Sequence, residues 1–322
     1  MFALSRGVSR HCVVPMAAAY TQEAPSTSCG MPSFVSTEDG HVQNLTVRGY
    51  PRCFTIIASE SARRRRPALP VLFFFHGSGG SGAECGAIPD RHGHKLASLA
   101  LEFDFALVCG EARWRNGSGG FLWHIPAVQT DASGTRCSDS EDEAYLVGIF
   151  SILPPFADRS KTSFVGSSLG AGFATFAATC IRRALGRRAV GAFATHATGL
   201  KVKGDGLDFP AIWHATDRTW RWGECPECQW FPIVPQPEPG LKACIFDGTA
   251  DPTKENPFFY RSSLQLVHYW HAVGNPIDSS NNGSFVEGGK HDKIDRWLAM
   301  LRCLDASTDG GAHSLLHPRA KS

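Results

Sequence analysis

Residues 164–178 of the 322-residue chain are Phe-Val-Gly-Ser-Ser-Leu-Gly-Ala-Gly-Phe-Ala-Thr-Phe-Ala-Ala. They contain the pattern Gly-x-Ser-x-Gly, with Ser168 at its centre. The run Thr162–Val165 predicts a strand before the pattern, and the small and apolar residues of Leu169–Leu185 predict a helix after it. A serine at a sharp turn between a strand and a helix is typical of a nucleophile, because the turn exposes the hydroxyl beyond the edge of the sheet. The segment therefore predicts that Ser168 is a nucleophile.

Strand and helix patterns alternate on both sides of this segment. The other predicted strands are His41–Arg48, Cys53–Ala58, Pro70–Phe75, Phe105–Cys109, Val190–Thr195, Leu241–Phe246 and Ser284–Glu287, and the other predicted helices are His94–Phe103, Glu141–Leu153, Phe258–Val273 and Lys293–Leu304. This alternation predicts an α/β fold made of one domain, with a mostly parallel sheet and helices on both faces.

The domain is expected to span residues 39–304, since a single α/β unit of about 250 residues is common. Residues 1–38 and 305–322 are polar and aperiodic, so we expect an N-terminal extension and a C-terminal tail. Residues 196–240 interrupt the alternation and are rich in turns and aromatic residues, which predicts a cap over a cleft or a packed wall. Residues 1–22 are poor in acids and fit a secretory signal, an organellar signal or a plain extension, so the compartment stays open.

Composition excludes several classes of protein. The chain has 43% hydrophobic residues and a net charge of +2, which disfavour a disordered chain and nucleic acid as a partner. The longest apolar runs, such as Val71–Phe75, are far shorter than the roughly 20 residues that span a bilayer. The eleven cysteines are odd in number, so at least one cannot pair within the chain. Cys225 and Cys228 form a Cys-x-x-Cys pair, but no second pair completes a zinc site, and no metal or organic cofactor is expected.

An acid and a histidine follow Ser168 in the order that a serine nucleophile requires in this type of sheet. Asp251 comes just after the predicted strand Leu241–Phe246, and His291 comes just after Ser284–Glu287. We expect His291 to accept the proton of Ser168 and Asp251 to orient and support the imidazolium. The rival acid is Asp247, and the rival histidines, His268 and His271, lie inside a predicted helix.

A glycine-rich loop follows the predicted strand Pro70–Phe75. His76-Gly77-Ser78-Gly79-Gly80-Ser81-Gly82 lies where backbone N–H groups would face an oxyanion. Candidate donors are the N–H groups of Ser78 or Gly79, with that of Leu169 as the second donor. A phosphate-binding loop is disfavoured, because no Gly-Lys-Ser or Gly-Lys-Thr ends the run.

Five segments carry a family resemblance: VRGYPRCFTIIASE (47–60), LPVLFFFHGSGGSG (69–82), DEAYLVGIFSIL (142–153), FVGSSLGAGFATFAA (164–178) and ACIFDGTADPT (243–253). On these residues the chain resembles the α/β-hydrolase superfamily and, more narrowly, the polyhydroxybutyrate depolymerase and feruloyl-esterase-like serine esterases. The resemblance runs from about Val47 to Leu304 and implies a triad of Ser168, Asp251 and His291. Two positions depart from the family pattern. Asp247 stands where histidine is more common, and Lys290 separates a glycine from His291.

The expected activity is hydrolysis of a carboxylic ester through a covalent acyl-enzyme. The resemblance implies hydroxyalkanoate polyester or feruloyl-type esters, so the partner is a small-molecule or polymeric ester. Trp123, Trp222 and Trp230 are candidates for contact with an apolar or aromatic part of the substrate. An acyltransferase, a serine peptidase and a non-catalytic binding protein with the same fold remain as alternatives.

Overall fold

The structure is a computed structural model of the chain. It describes residues 21–22, 29–64, 67–82, 85–115, 121–125, 136–197, 212–214, 219–221, 237–250, 263–264, 266–267, 270–271, 273–277, 284–286 and 297–305. Four of the expected site residues, Asp251, His291, Trp222 and Trp230, lie outside the described residues.

The strands and helices follow the predicted alternation. In chain order the described strands are β1 Thr21–Gln22, β2 Gly40–Val47, β3 Tyr50–Ile57, β4 Leu69–Phe75, β5 Ala106–Gly110, β6 Trp114–Arg115, β7 Phe121–Leu122, β8 Ala157–Ser167, β9 Ala192–His196, β10 Ile212–His214, β11 Thr219–Arg221, β12 Lys242–Gly248 and β13 Ser284–Val286. The described helices are α1 Glu60–Arg63, α2 Leu96–Phe103, α3 Glu141–Ile152, α4 Leu169–Leu185 and α5 Trp297–Asp305, with a short 3₁₀ helix at Cys137–Asp139.

Eight strands form one sheet in the spatial order β13-β12-β9-β8-β4-β5-β3-β2. Every neighbouring pair from β13 to β5 is parallel, and β3 and β2 join antiparallel at the far side. The prediction of a mostly parallel sheet is confirmed. Because the parallel strands run in one direction, their carboxyl ends lie along one edge, here called the carboxyl edge. Ligands of open α/β sheets bind outside this edge.

Helices cover both faces of the sheet, and successive residues of β4 show why. Val71, Phe73 and Phe75 belong to a core shared with α3 and α4, whereas Leu72 and Phe74 belong to a second core shared with α2 and α5. Side chains of a strand alternate between its two faces, so a strand covered on both faces is a continuous apolar run. The five residues Val71–Phe75 are that run, and all of them are buried.

The first two strands of the sheet, β2 and β3, form an antiparallel hairpin. Its turn is Arg48-Gly49, and both residues have positive φ angles, 49° and 84°. Two-residue turns of this kind match the twist of antiparallel strands. Helix α1 follows β3 and ends at Arg63, the first of four consecutive arginines. Ser59 starts that helix by accepting a hydrogen bond from the Ala62 N–H.

Part of the expected N-terminal extension packs on the domain. Cys29 is bonded to Cys53 of β3, and Val35 is buried in the second core. Further toward the N-terminus, β1 pairs with β6, and β6 pairs with β7. These contacts place the start of the folded unit before residue 39.

Residues 196–240 were expected to form a cap over a cleft or a packed wall. Their described part contains an antiparallel pair of strands, β10 and β11, with Trp213 opposite Trp220 in the register. The role of this insertion as a cap stays a prediction, because most of it lies outside the described residues.

Among the described residues, four disulfide bonds link distant parts of the fold: Cys29–Cys53, Cys85–Cys109, Cys137–Cys180 and Cys244–Cys303. Cys85–Cys109 joins the segment after the glycine-rich loop to β5. Cys137–Cys180 joins the segment before α3 to α4, and Cys244–Cys303 joins β12 to α5. The remaining three cysteines, Cys12, Cys225 and Cys228, lie outside the described residues. Within the described chain, no helix combines the length and the apolar character needed to cross a bilayer.

Candidate active site

Ser168 occupies the one-residue turn between β8 and α4. Its backbone has φ 54° and ψ −125°, a conformation that costs a residue other than glycine about 1–3 kcal/mol. Such a conformation persists only where the surroundings fix it. Here the Ser168 N–H donates to the carbonyl of His196 at the end of β9, at 2.9 Å. The side chain of Ser168 is half-buried at the carboxyl edge, as predicted for the turn that presents a nucleophile.

The two glycines that flank Ser168 are required by the close approach of main chains. A Cβ atom on Gly166 would lie 2.1 Å from the carbonyl oxygen of Gly170. A Cβ atom on Gly170 would lie 2.1 Å from the carbonyl oxygen of Phe75, at the end of β4. Only glycine therefore lets the first turn of α4 lie against β8 and β4. The Gly-x-Ser-x-Gly pattern is explained by this packing.

The glycine-rich loop after β4 lies directly against Ser168. A Cβ atom on Gly77 would be 3.2 Å from the Cβ of Ser168 and 3.9 Å from its Oγ. The hydroxyl of Ser168 and the backbone of the His76–Gly82 loop are thus neighbours. The sequence predicted this pairing from the ends of two strands, and the structure brings the two segments together.

His76 fixes the start of the loop through both ring nitrogens. Nδ1 donates to the carbonyl of Gly77 at 2.8 Å, and Nε2 accepts from the N–H of Ala112 at 3.3 Å. Burial lowers the pKa of His76 to about 4, which outweighs the opposing effects of the Gly77 carbonyl and of Asp142. The ring is therefore neutral near pH 7, with its proton on Nδ1. It acts as a structural loop histidine.

The end of the loop is fixed by a buried carboxylate. Glu111 follows β5 at the carboxyl edge, and its Oε2 accepts the N–H of Gly82 at 2.6 Å. A Cβ atom on Gly82 would lie 2.9 Å from the same oxygen, so this contact also requires a glycine. Sequence reasoning missed Glu111. Its signal was an acid directly after a buried strand.

The structure separates the two candidates for the first oxyanion donor. The N–H of Gly79 donates to the carbonyl of Phe121 at 3.1 Å, so this group already has an acceptor. Ser78 is the candidate that remains, and its residue is exposed beside the turn. Leu169 is the first residue of α4, where an N–H has no acceptor within the helix. Together they are the candidate oxyanion donors.

Trp123 packs between the glycine-rich loop and helix α4. Its side chain has no exposed surface, and its Nε1–H donates to the carbonyl of His76 at 2.9 Å. The indole stacks on Phe173 of α4, with ring centroids 4.7 Å apart. The expectation that Trp123 contacts substrate is not supported by this position, because the ring is enclosed between the loop and helix α4.

A buried ion pair lies behind Glu111. Arg52 of β3 and Asp142 of α3 approach to 2.7 Å, and both side chains are almost completely buried. The guanidinium also lies over the ring of Tyr145 and donates to the carbonyl of Glu111. The second oxygen of Asp142 accepts the N–H of His124 at 2.7 Å. This network joins β3, β5 and α3 beneath the glycine-rich loop.

The strands that precede Asp251 and His291 end at the same edge as β8. Strand β12 lies beside β9, which lies beside β8, and the end of β13 pairs with Gly248 at the end of β12. Asp247, the rival acid, is buried and accepts hydrogen bonds from Ser263 Oγ at 2.6 Å and the Gly248 N–H at 2.7 Å. Its carboxylate thus accepts hydrogen bonds from its own strand and from the segment at Ser263. The assignment of Asp251 and His291 remains a prediction.

Comparisons with known proteins give a structural match only. No protein-family model matches the chain, and no curated protein matches it in sequence. Among solved structures, an arylesterase is similar with a TM-score of 0.50 and 11% identity, over 83% of this chain and 80% of that protein. An esterase from Rhizomucor miehei has a TM-score of 0.49 and 12% identity over 82% and 80% of the two chains. An esterase from Pyrobaculum calidifontis has a TM-score of 0.49 and 14% identity over 78% and 77%.

Proposed function

Because the chain has the α/β-hydrolase fold, we propose that it is a serine hydrolase of carboxylic esters, with Ser168 as its nucleophile. The observation that carries the proposal is the backbone of Ser168, held at φ 54° between β8 and the N-terminus of α4. Strained backbone conformations cluster at active sites, which supports the assignment of Ser168 as the nucleophile. The esterases with similar structures are consistent with the proposal.

In the proposed mechanism, Ser168 Oγ attacks the carbonyl carbon of the ester. His291 takes the proton of the hydroxyl and returns it to the leaving alcohol, and Asp251 supports the imidazolium. The negative oxygen of the tetrahedral intermediate accepts hydrogen bonds from the N–H groups of Ser78 and Leu169. Water then hydrolyses the acyl-enzyme by the same route, so no metal or organic cofactor takes part.

For the substrate, we propose a hydroxyalkanoate polyester or a feruloyl-type ester. This assignment rests on the sequence resemblance and on the aromatic residues of the 196–240 insertion, among them Trp222 and Trp230. An apolar or aromatic acyl or alcohol group suits a pocket lined by indole rings. Comparing the hydrolysis of short aliphatic and aromatic esters by Trp222→Ala and Trp230→Ala variants tests the assignment. Equal loss for both ester classes would contradict it.

The nucleophile is tested by intact-mass spectrometry after treatment with a fluorophosphonate, which reacts with activated serines. We expect one adduct on the wild-type protein and none on Ser168→Ala. Ser167→Ala is the matched control, because Ser167 is the neighbouring half-buried serine and should keep the adduct. No adduct on folded wild-type protein would refute the serine hydrolase and favour a binding protein. An adduct without ester hydrolysis would favour an acyltransferase or a peptidase.

A further inference from the structure

One sequence motif has no part in the proposed reaction. Asn44-Leu45-Thr46 is an Asn-x-Thr triplet, the acceptor pattern for N-linked oligosaccharides in secreted proteins. Triplets of this kind occur often by chance, so the pattern alone carries nothing. Its position in the fold and the chemistry of the cysteines supply two independent observations. The other two triplets, at Asn116 and Asn282, lie outside the described residues.

The triplet lies in β2, the terminal strand of the eight-stranded sheet. Side chains alternate along a strand, so Asn44 and Thr46 point to one side and Leu45 to the other. The structure agrees, since Asn44 and Thr46 are both exposed whereas Leu45 packs against the first core. A Cβ atom on Gly148 of α3 would lie 2.9 Å from the Leu45 side chain. The two residues that an oligosaccharyltransferase reads thus share the open side of the strand.

The cysteines indicate where the chain folds. Among the described residues, four disulfide bonds join eight cysteines, and all four link positions more than 20 residues apart, on both sides of the sheet. Structural disulfides form and persist in oxidising compartments and are rare in the cytosol. Cys53, the register partner of Asn44, takes part in one of them. The chain that carries the triplet is therefore expected to pass through the compartment where glycans are attached.

We infer that Asn44 carries an N-linked oligosaccharide. Its side-chain amide nitrogen forms a bond to the anomeric carbon of the sugar, and the bond from that carbon to a lipid pyrophosphate breaks. The lipid pyrophosphate leaves, and one amide proton is released. The donor is a lipid-pyrophosphate-linked oligosaccharide supplied by the secretory membrane, and no electron transfer is involved.

A glycan at Asn44 also suits the physical needs of β2. The outer edge of a terminal strand offers backbone N–H and C=O groups to other chains, and proteins block such edges to avoid aggregation. Val42, on the same side of β2 as Asn44, and Tyr50 at the start of β3 are both exposed apolar residues. A bulky hydrophilic group between Val42 and Thr46 shields this edge.

The test is expression of the full chain in a eukaryotic secretory host, with medium and cell lysate both analysed. Peptide N-glycosidase treatment in heavy-oxygen water converts a glycosylated asparagine to a labelled aspartate, which peptide mapping locates. We expect the label at position 44 in the wild-type chain and its loss in Asn44→Gln and Thr46→Ala. Thr46→Ser is the matched control, because its hydroxyl keeps the acceptor pattern, and it should retain the label.

Alkylating the unfolded chain in the same samples, without prior reduction, shows which cysteines are in disulfide bonds, because only free thiols react. An unlabelled Asn44 in protein whose eight cysteines resist alkylation would overturn the inference. Cytosolic protein whose eight cysteines all react would overturn it as well. Neither outcome bears on the fluorophosphonate test of Ser168, so the two proposals fail separately.

Discussion

At the scale of single residues, the candidate site depends on places where no side chain is present. Gly77, Gly166 and Gly170 each lie where a Cβ atom would press on the backbone or side chain of a neighbouring segment. Protein interiors are closely packed, so collisions of this kind are relieved only by moving whole segments. The position of Ser168 is therefore sensitive to changes of a single methyl group.

We predict that Gly170→Ala lowers the free energy of unfolding by about 3 kcal/mol or more. The new Cβ would lie 2.1 Å from the Phe75 carbonyl oxygen, and neither atom can move away by rotation of a side chain. Urea denaturation measures the change. Gly191→Ala is the matched control, since its nearest atom, the Thr162 carbonyl oxygen, is 4.0 Å away, and its stability should change by less than about 1 kcal/mol. Equal stabilities for the two variants would contradict this explanation.

Glu111 is predicted to act as a positioning residue for the glycine-rich loop. Glu111→Gln keeps the shape of the side chain but replaces a charged acceptor of the Gly82 N–H with a neutral one. We expect kcat for ester hydrolysis to fall about tenfold, equivalent to about 1.4 kcal/mol, with KM nearly unchanged. Steady-state kinetics measure the split. Glu102→Gln, an exposed site on α2, is the control and should behave as wild type. A rise in KM at constant kcat would refute the positioning role.

The lowered pKa of His76 predicts that the stability of the folded chain depends on pH. Its pKa is about 4 in the folded chain and about 6.5 in the unfolded chain. Between these values the unfolded state binds more protons, so this contribution is complete above pH 6.5 and is lost as the pH falls toward 4. The loss is at most about 3 kcal/mol. Urea denaturation from pH 7 to pH 4 should give a shallower slope for His76→Asn, which takes up no proton. Identical slopes would show that another group causes the dependence.

At the scale of elements, apolar periodicity predicted most of the fold. Helix α4 begins and ends where the sequence placed it, at Leu169 and Leu185, because its small and apolar residues pack against β8 and β9. Strand β8 begins at Ala157, five residues before the predicted start. That first part, Ala157–Lys161, has four polar residues after Ala157, so it has no apolar pattern to detect, and its pairing with β4 shifts register at Pro70/Val71.

Helix α4, which follows Ser168, is also held covalently. Cys180 of α4 is bonded to Cys137, 43 residues earlier, just before α3. Closing a loop of this length restricts the unfolded chain by about 4 kcal/mol in the entropic description. We predict that Cys137→Ala/Cys180→Ala loses about that amount of unfolding free energy in urea. Reducing agent should then affect the double variant less than it affects the wild type. A stability equal to the wild type would contradict the cross-link.

At the scale of the whole molecule, the sequence alone predicted the architecture and the order of the candidate site segments. It predicted little about the contacts between buried polar residues. The pairing of eleven cysteines is not deducible from their spacing, because many connectivities fit one sequence. Arg52 and Asp142 are far apart in sequence, and their buried ion pair forms only when β3 and α3 pack together. That the N–H of Gly79, rather than that of Ser78, donates to the carbonyl of Phe121 depends on how the loop is folded. Such features depend on tertiary contacts, which local patterns do not encode.

The main chain of neighbouring segments lies close around Ser168, and this has a consequence for how the protein would evolve. Side-chain replacement at Gly77, Gly166 and Gly170 cannot reshape this surface, because an added Cβ would meet another part of the chain within about 3 Å. New substrate preferences must therefore arise in segments attached to other strands, chiefly the insertion after β9 and the loops after β12 and β13. Mutational libraries aimed at those segments should yield active variants with altered selectivity, whereas libraries aimed at Gly77, Gly166 and Gly170 should yield inactive protein.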